Sequence, residues 1–221
     1  MAKGGNFENE IAKKLSMWWS GGESSEVFLR TGGSGSRATN RLKSQDKTDY
    51  TIGDITYNTP EGKPLIDVWS IECKTGYSSR RKSEAKTQIT NWCILDIIDS
   101  RQVRGTFLKL WGQAVDQAIK VDKAPVLIFR RPMMMANIAI PFDNFNNLRY
   151  FMGAPICPYI NLDDSVVIMN LDTFFLWTSR GRMNNEEFLS VWKTGHSARN
   201  TSLGGGTRSK FRRLEKGSKQ T

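Results

Sequence analysis

The sequence predicts an α/β fold: a mixed central sheet flanked by helices. Three observations carry this reading. An amphipathic helix opens the chain. Two segments, around Asp54 and around Glu72, read as strands joined by a turn. A helix over Thr106–Lys120 then runs into the continuous apolar stretch Ala124–Arg130, the order expected of a crossover onto a buried strand.

Asn6 is a competent helix cap, so the first helix is predicted to start near Phe7 and to run through Trp18 and Trp19. The helical period separates its two glutamates. Glu8 shares a face with Ala12, Leu15 and Trp19, whereas Glu10 shares one with Lys13, Lys14 and Met17. Glu10 therefore reads as a solvated partner of Lys14. Glu8 has two readings: a carboxylate held beside the buried stripe by a partner or a metal, or a first-turn charge opposing the helix dipole.

After a polar turn over Ser20–Ser25, Glu26–Arg30 reads as a short strand. Thr31-Gly32-Gly33-Ser34-Gly35-Ser36-Arg37 lacks the spacing of a nucleotide P-loop. Its backbone N–H groups suit a DNA phosphate, and a plain glycine-serine loop is the other reading. Arg37, Arg41, Lys43 and Lys47 make the segment up to Thr48 basic and poor in apolar residues.

Tyr50–Tyr57 is predicted as the first strand of the pair, with Asp54 inside it. Asn58–Gly62 is a turn, and Leu65–Thr75 is the second strand. Seventeen residues separate Asp54 from Glu72, enough for one turn and a return strand. Alternation puts Ile66, Val68, Ser70, Glu72 and Lys74 on one face and Asp67, Trp69, Ile71 and Cys73 on the other. Asp49 competes with Asp54 for a role beside Glu72. Gly53-Asp54-Ile55 leads directly into the strand and favours Asp54.

Downstream, Ser78-Ser79-Arg80-Arg81-Lys82 is basic and polar. Helices are predicted over Glu84–Ile98 and Thr106–Lys120, the second with Leu108, Trp111, Val115, Ala118 and Ile119 as its apolar stripe. Gln113 and Gln117 fall together on another face, as exposed glutamines or as contacts for a phosphate or Lys74. Further elements are a strand over Met133–Ile140 ending at Pro141, a helix over Phe142–Met152, a strand over Ser165–Met169, a short element opening at Leu171–Phe175 and a helix over Asn185–Trp192. Beyond Gly195 there are seven Lys or Arg residues against one acid, Glu215, and too few apolar residues to build a core. This reads as a disordered cationic tail. The predicted organisation is one domain over 1–195 and a basic tail over 196–221.

Composition narrows the function. The 221 residues carry 32 Lys and Arg against 22 Asp and Glu, a net charge of +10. That balance points to a polyanionic partner, most simply nucleic acid. No apolar run approaches the ~18 residues of a membrane span, and Met1–Gly5 has no signal-peptide core, so a cytoplasmic location is expected. Cys73, Cys93 and Cys157 are widely spaced, and His196 is the single histidine. A zinc site and a histidine-based triad are thus poorly supported, and the cysteines read as reduced. What remains is the set Asp54, Glu72 and Lys74. Two carboxylates can hold a divalent cation through oxygen, and a lysine beside them can position or deprotonate a water. That is equipment for metal-assisted phosphodiester hydrolysis. A sheet-edge Glu–Lys pair with no chemistry has the same short pattern.

The order of a helix glutamate, a strand aspartate and then E-x-K on the next strand resembles the PD-(D/E)xK nuclease superfamily. Within it, Lys3-Gly4-Gly5-Asn6-Phe7-Glu8-Asn9-Glu10-Ile11-Ala12-Lys13-Lys14-Leu15 is similar, without a gap, to the opening helix of archaeal-type Holliday junction resolvases and their phage relatives. Arg30-Thr31-Gly32-Gly33-Ser34 resembles their Arg-x-x-Gly-Ser stretch. Gly53-Asp54-Ile55 and Ile71-Glu72-Cys73-Lys74 match the rest of the core. Trp111-x-Gln113-Ala114 and Ala124–Arg131 resemble the later helix and strand. The resemblance covers roughly the first 131 residues. It departs from the pattern at Gly53, where proline is usual, and in the longer intervals Ser34–Asp54 and Tyr77–Gly105.

The resemblance implies a restriction-endonuclease-like fold and a metal-dependent DNA endonuclease acting on branched DNA, with Holliday junction resolution as the leading activity. It puts Glu8 rather than Glu10 on the catalytic glutamate. Glu8, Asp54 and Glu72 would hold Mg²⁺, or Mn²⁺ in its place, with the carbonyl of Cys73 as a further ligand, and Lys74 would orient the attacking water. Ser34, Arg37, Arg41, Arg80, Arg81 and Lys82 are the expected DNA contacts. Paired cuts in a four-way junction need two such sites, and the chain contains one set, so a C₂ homodimer is expected. Segments around Trp92 and Trp111 are its candidate contacts, and packing of these tryptophans within one protomer is the other reading. A nuclease for linear, nicked or flapped DNA and a non-catalytic DNA-binding protein are the alternatives.

Overall fold

The computed structural model describes residues 3–31, 53–75, 106–131, 133–162, 165–179 and 184–197. The fold is α/β, as the pattern predicts. Helix α1 spans Lys3–Trp19. It buries Phe7, Ile11, Ala12, Leu15 and Trp19, the stripe expected of a helix packed on one side. It stops in a Schellman turn: the N–H of Gly22 donates to Met17 O and that of Gly21 to Trp18 O, with positive φ at both glycines. Strand β1, Phe28–Arg30, is tied to the helix by Ser16, whose hydroxyl donates to Ala12 O and accepts from the N–H of Phe28.

Strand β2, Ile55–Tyr57, pairs antiparallel with β1 in a small sheet. A 3₁₀ turn over Pro60–Gly62 and helix α2, Lys63–Val68, follow. Strand β3 is Trp69–Thr75, helix α3 is Thr106–Lys120 and strand β4 is Ala124–Arg130. Next come β5, Asn137–Pro141, and α4, Phe142–Met152. Strands β6, Tyr159–Leu162, and β7, Val166–Asn170, precede α5, Leu171–Ser179, and α6, Asn185–Ser197. The main sheet has the order β3-β4-β5-β7-β6, parallel between β3 and β4 and antiparallel elsewhere.

The two faces of this sheet carry different cores. Trp69, Ile71 and Cys73 of β3 and Ala124, Val126 and Ile128 of β4 pack with α1, α4, α5 and α6. Leu127 and Phe129 pack on the other face with Phe107, Leu110 and Trp111 of α3. Strand β4 is covered on both sides, which is why its sequence is continuously apolar. An aromatic cluster closes the first face, with Trp69 set edge-on to Trp192 at 4.8 Å between ring centroids.

Several elements depart from expectation. The strand predicted over Leu65–Thr75 begins only at Trp69, because Lys63–Val68 is helical with a proline in its first turn. Leu65, Ile66 and Val68 are buried from a helix, a period that so short an apolar run cannot declare. Asp67 pairs with Lys63 one helical turn away, at 2.5 Å. The first strand of the pair is shorter than predicted and leaves Asp54 just before it. Helix α1 starts at Lys3, so Asn6 lies inside it instead of capping it. Glu10 does not pair with Lys14; it meets Arg130, while Lys14 meets Asp172. The strand predicted from Met133 begins at Asn137, and β6 was not among the predicted elements. Trp111 is buried within its own protomer against the sheet, which removes it as a free dimer contact. Trp92, the helix predicted over Glu84–Ile98 and the chain beyond 197 lie outside the described residues.

Candidate active site

Strand β3 is an edge of the main sheet, and the loop before β2 docks on its free side. Gly53 makes that approach feasible. Its φ is +103°, and a Cβ there would lie 2.9 Å from Ile71 O. Proline, with φ held near −65°, cannot take this conformation, so the departure from the resolvase pattern at this position has a backbone cause. The N–H of Asp54 then donates to Ile71 O at 2.7 Å, and the N–H of Cys73 donates to Asp54 Oδ2 at 2.8 Å. The N–H of Thr31 donates to Asp54 O, which fixes the end of β1 to the same point.

Glu72 and Lys74 project from one face of β3, two residues apart, beside Leu127 and Phe129 of β4. Lys74 Nζ donates to Glu72 Oε1 and stands 3.6 Å from Asp54 Oδ2. Asp54 and Glu72 are both buried. Burial raises the proton affinity of Glu72, and repulsion by Asp54 raises it further; the hydrogen bond and charge of Lys74 oppose this, and Glu8 adds a smaller repulsion. Burial likewise pushes the Cys73 thiol well up, reinforced by the charges of Asp54, Glu72 and Glu8. Cys73 is thus a neutral core side chain whose backbone, not its sulfur, faces the site.

Glu8 reaches the same field from α1. It is buried on the stripe shared with Ala12, Leu15 and Trp19, and Arg30 Nε lies 3.1 Å from its Oε2. Two residues on, and on another face of the helix, Glu10 accepts from Arg130 Nη1 with both its oxygens at 2.8 Å each, and the Arg130 guanidinium lies 4.5 Å over the Phe7 ring. Arg30 and Arg130 thus clamp the first turns of the helix that carries Glu8. Sequence reasoning did not assign either arginine to the site. The available signals were the place of Arg30 at the head of the Arg-x-x-Gly-Ser stretch and that of Arg130 at the end of an apolar strand.

The structure therefore brings Asp54, Glu72 and Lys74 into contact and sets Glu8 within electrostatic range of Glu72. Among the described residues no three His, Cys, Asp or Glu side chains converge as a metal-holding group. Lys74 is paired with both carboxylates of the pair, and Glu8 is drawn to Arg30. The donor chemistry still suits a hard divalent cation: the buried ligands are oxygen, and their mutual repulsion is what a cation relieves. The expected DNA contacts Ser34, Arg37, Arg41, Arg80, Arg81 and Lys82 lie outside the described residues. No described helix is long and apolar enough to cross a membrane.

A family model described as "Phage putative PDDEXK endonuclease" matches residues 1–179. No curated protein and no solved structure matches the chain.

Proposed function

The chain belongs to the family of phage PD-(D/E)xK endonucleases, and on that premise we propose that it is a metal-dependent enzyme that cuts branched DNA, the four-way junction above all. The observation that carries the chemistry is the contact of Lys74 with both Asp54 and Glu72 at the free edge of β3. Asp54, Glu72 and Glu8, with the Cys73 carbonyl, are the residues that would hold Mg²⁺ or Mn²⁺. When bound, such an ion would neutralise phosphate charge and acidify a water.

The protein's own groups supply the rest. Asp54 is held in place by the backbone of β3, so its carboxylate needs no reorganisation to act. Lys74 orients the attacking water and balances charge as negative charge builds on the phosphate. The water oxygen bonds to phosphorus and gives up a proton to solvent, the bond to one bridging oxygen breaks, and the departing oxygen takes a proton from solvent, so that one water is consumed. The +10 charge favours association with DNA, and Ser34, Arg37, Arg41, Arg80, Arg81 and Lys82 are the proposed phosphate contacts. Paired cuts across a junction call for two copies of the site and hence a C₂ homodimer acting in the cytoplasm, that of the host for a phage-borne enzyme.

The test is a cleavage assay on labelled four-way, three-way, nicked, flapped and linear DNA across a Mg²⁺ titration, with Lys74→Ala as control. Preferential, paired, Mg²⁺-dependent cutting of the four-way junction that is lost in the control supports the reading. Preference for linear, nicked or flapped DNA replaces the substrate and keeps the nuclease. Tight binding without Mg²⁺-dependent cutting would leave a DNA-binding protein. Sedimentation of the junction complex reports whether one or two copies are bound.

A further inference from the structure

Strands β3 and β4 are parallel, and their register pairs Lys74 with Phe129 and Thr75 with Arg130. Both strands therefore leave the sheet at the same end, next to the candidate active site. Beyond β4 the N–H of Met134 donates to Arg131 O at 3.1 Å. Met133, Met134 and Met135 follow one another there, 103%, 53% and 63% exposed.

Met133 has φ +60°, a left-handed conformation that a residue with a Cβ rarely adopts. The base of the turn is anchored while its tip projects: Asn137 Nδ2 donates to Met135 O and Asn170 Nδ2 reaches Met135 Sδ at 3.8 Å. A strained, fully exposed apolar tip on an anchored base has no use for stability, and such strain gathers at functional segments.

We propose that this methionine turn is a wedge that enters the base stack of DNA beside the cleaved phosphate, an inference that rests on the nuclease reading above. Its chemistry matches that occupant. Unstacked bases present flat apolar faces flanked by phosphates, and the turn presents apolar side chains next to Arg131 on a chain of net charge +10. Methionine is among the side chains that proteins insert between base steps, and its flexible thioether packs on aromatic surfaces. A branch point already interrupts the stack, so insertion costs least there. The wedge thus gives the enzyme a way to favour branched over continuous duplex without reading sequence.

The experiment uses the full chain in a Lys74→Ala background, to keep the DNA intact, and a four-way junction with 2-aminopurine at the branch. Binding should raise 2-aminopurine emission severalfold. The added changes Met133→Ser, Met134→Ser and Met135→Ser should abolish that rise without lowering the thermal midpoint, and Met133→Ser alone should reduce it. With Lys74 restored, the triple variant should lose at least tenfold in junction over linear-duplex preference. An equal emission rise with and without the methionines would overturn the wedge, as would no rise in the parent. A loss of self-association in the triple variant with emission unchanged would make the turn a contact between copies instead. Absence of cleavage by the Lys74-intact chain, with the emission change present, would count against the nuclease reading and leave the wedge standing.

Discussion

Asp54 and Cys73 are joined by a hydrogen bond in which the Cys73 N–H donates to Asp54 Oδ2 at 2.8 Å. The same aspartate takes its own N–H to Ile71 O. Asp54 thereby continues the hydrogen bonding of the sheet past its edge strand, with a side chain standing where another strand's carbonyl would be. This satisfies an edge N–H that would otherwise be open. The loop residue Asp54 is thus tied into the sheet by hydrogen bonds to β3.

Gly53 is the residue on which that docking depends. Gly53→Ala should destabilise the chain by about 1–3 kcal/mol, from the positive φ alone, and the contact of the new Cβ with Ile71 O adds to it. Denaturant unfolding measures the loss. Cleavage per folded molecule should fall as well, because Asp54 moves with its neighbour. An alanine variant of unchanged stability and activity would show that the docking is dispensable.

Glu72 makes stability depend on pH in a definite direction. Its proton affinity is raised in the folded state by burial and by Asp54. As pH rises through the ordinary glutamate range, the unfolded chain releases this proton first, so the folded chain holds more protons and stability falls with pH. The decline ends above the raised folded pKa. Glu72→Gln removes this contribution: its thermal midpoint should exceed that of the parent at neutral pH, converge with it in acid, and be accompanied by loss of cleavage.

Divalent metal should act on the same carboxylates. Mg²⁺ that binds only the folded chain raises its stability, by about 2.7 kcal/mol at a hundredfold excess over Kd. Thermal midpoints across a Mg²⁺ titration should therefore rise, EDTA should reverse the rise, and Asp54→Asn should suppress it. A midpoint indifferent to Mg²⁺ and Mn²⁺ would remove the carboxylates from metal binding.

Arg130 should matter to catalysis more than its partly exposed ion pair suggests. Such pairs contribute at most about 1 kcal/mol to stability, and the contact with Phe7 adds roughly 0.5–1 kcal/mol. Arg130→Ala frees the turn that carries Glu8, so cleavage should fall by more than the loss of folded protein explains. Lowered kcat at unchanged KM, with partial recovery in Arg130→Lys, is the expected signature. A loss confined to stability would make the arginine structural only.

The amphipathic stripe of α1, the crossover helix Thr106–Lys120 and the buried run Ala124–Arg130 were legible in the residues, because each is long enough for its period to show. So were Glu8 on the buried face and the two-residue spacing of Glu72 and Lys74. Leu65–Val68 was not: a run of that length fits either period, and Pro64 and the Lys63–Asp67 pair tip it to helix. The partners of charge were not legible either. Glu10 finds Arg130 across 120 residues of chain and Glu8 finds Arg30, since distant strand ends meet a helix only after the sheet has assembled. The sequence by itself singled out Glu8, Asp54, Glu72 and Lys74 as the candidate side chains. Tertiary structure decided how they are held: Asp54 by the free edge of β3, Lys74 between two carboxylates, and Glu8 by an arginine clamp. Those distances depend on packing between segments far apart in the chain, which no local period encodes.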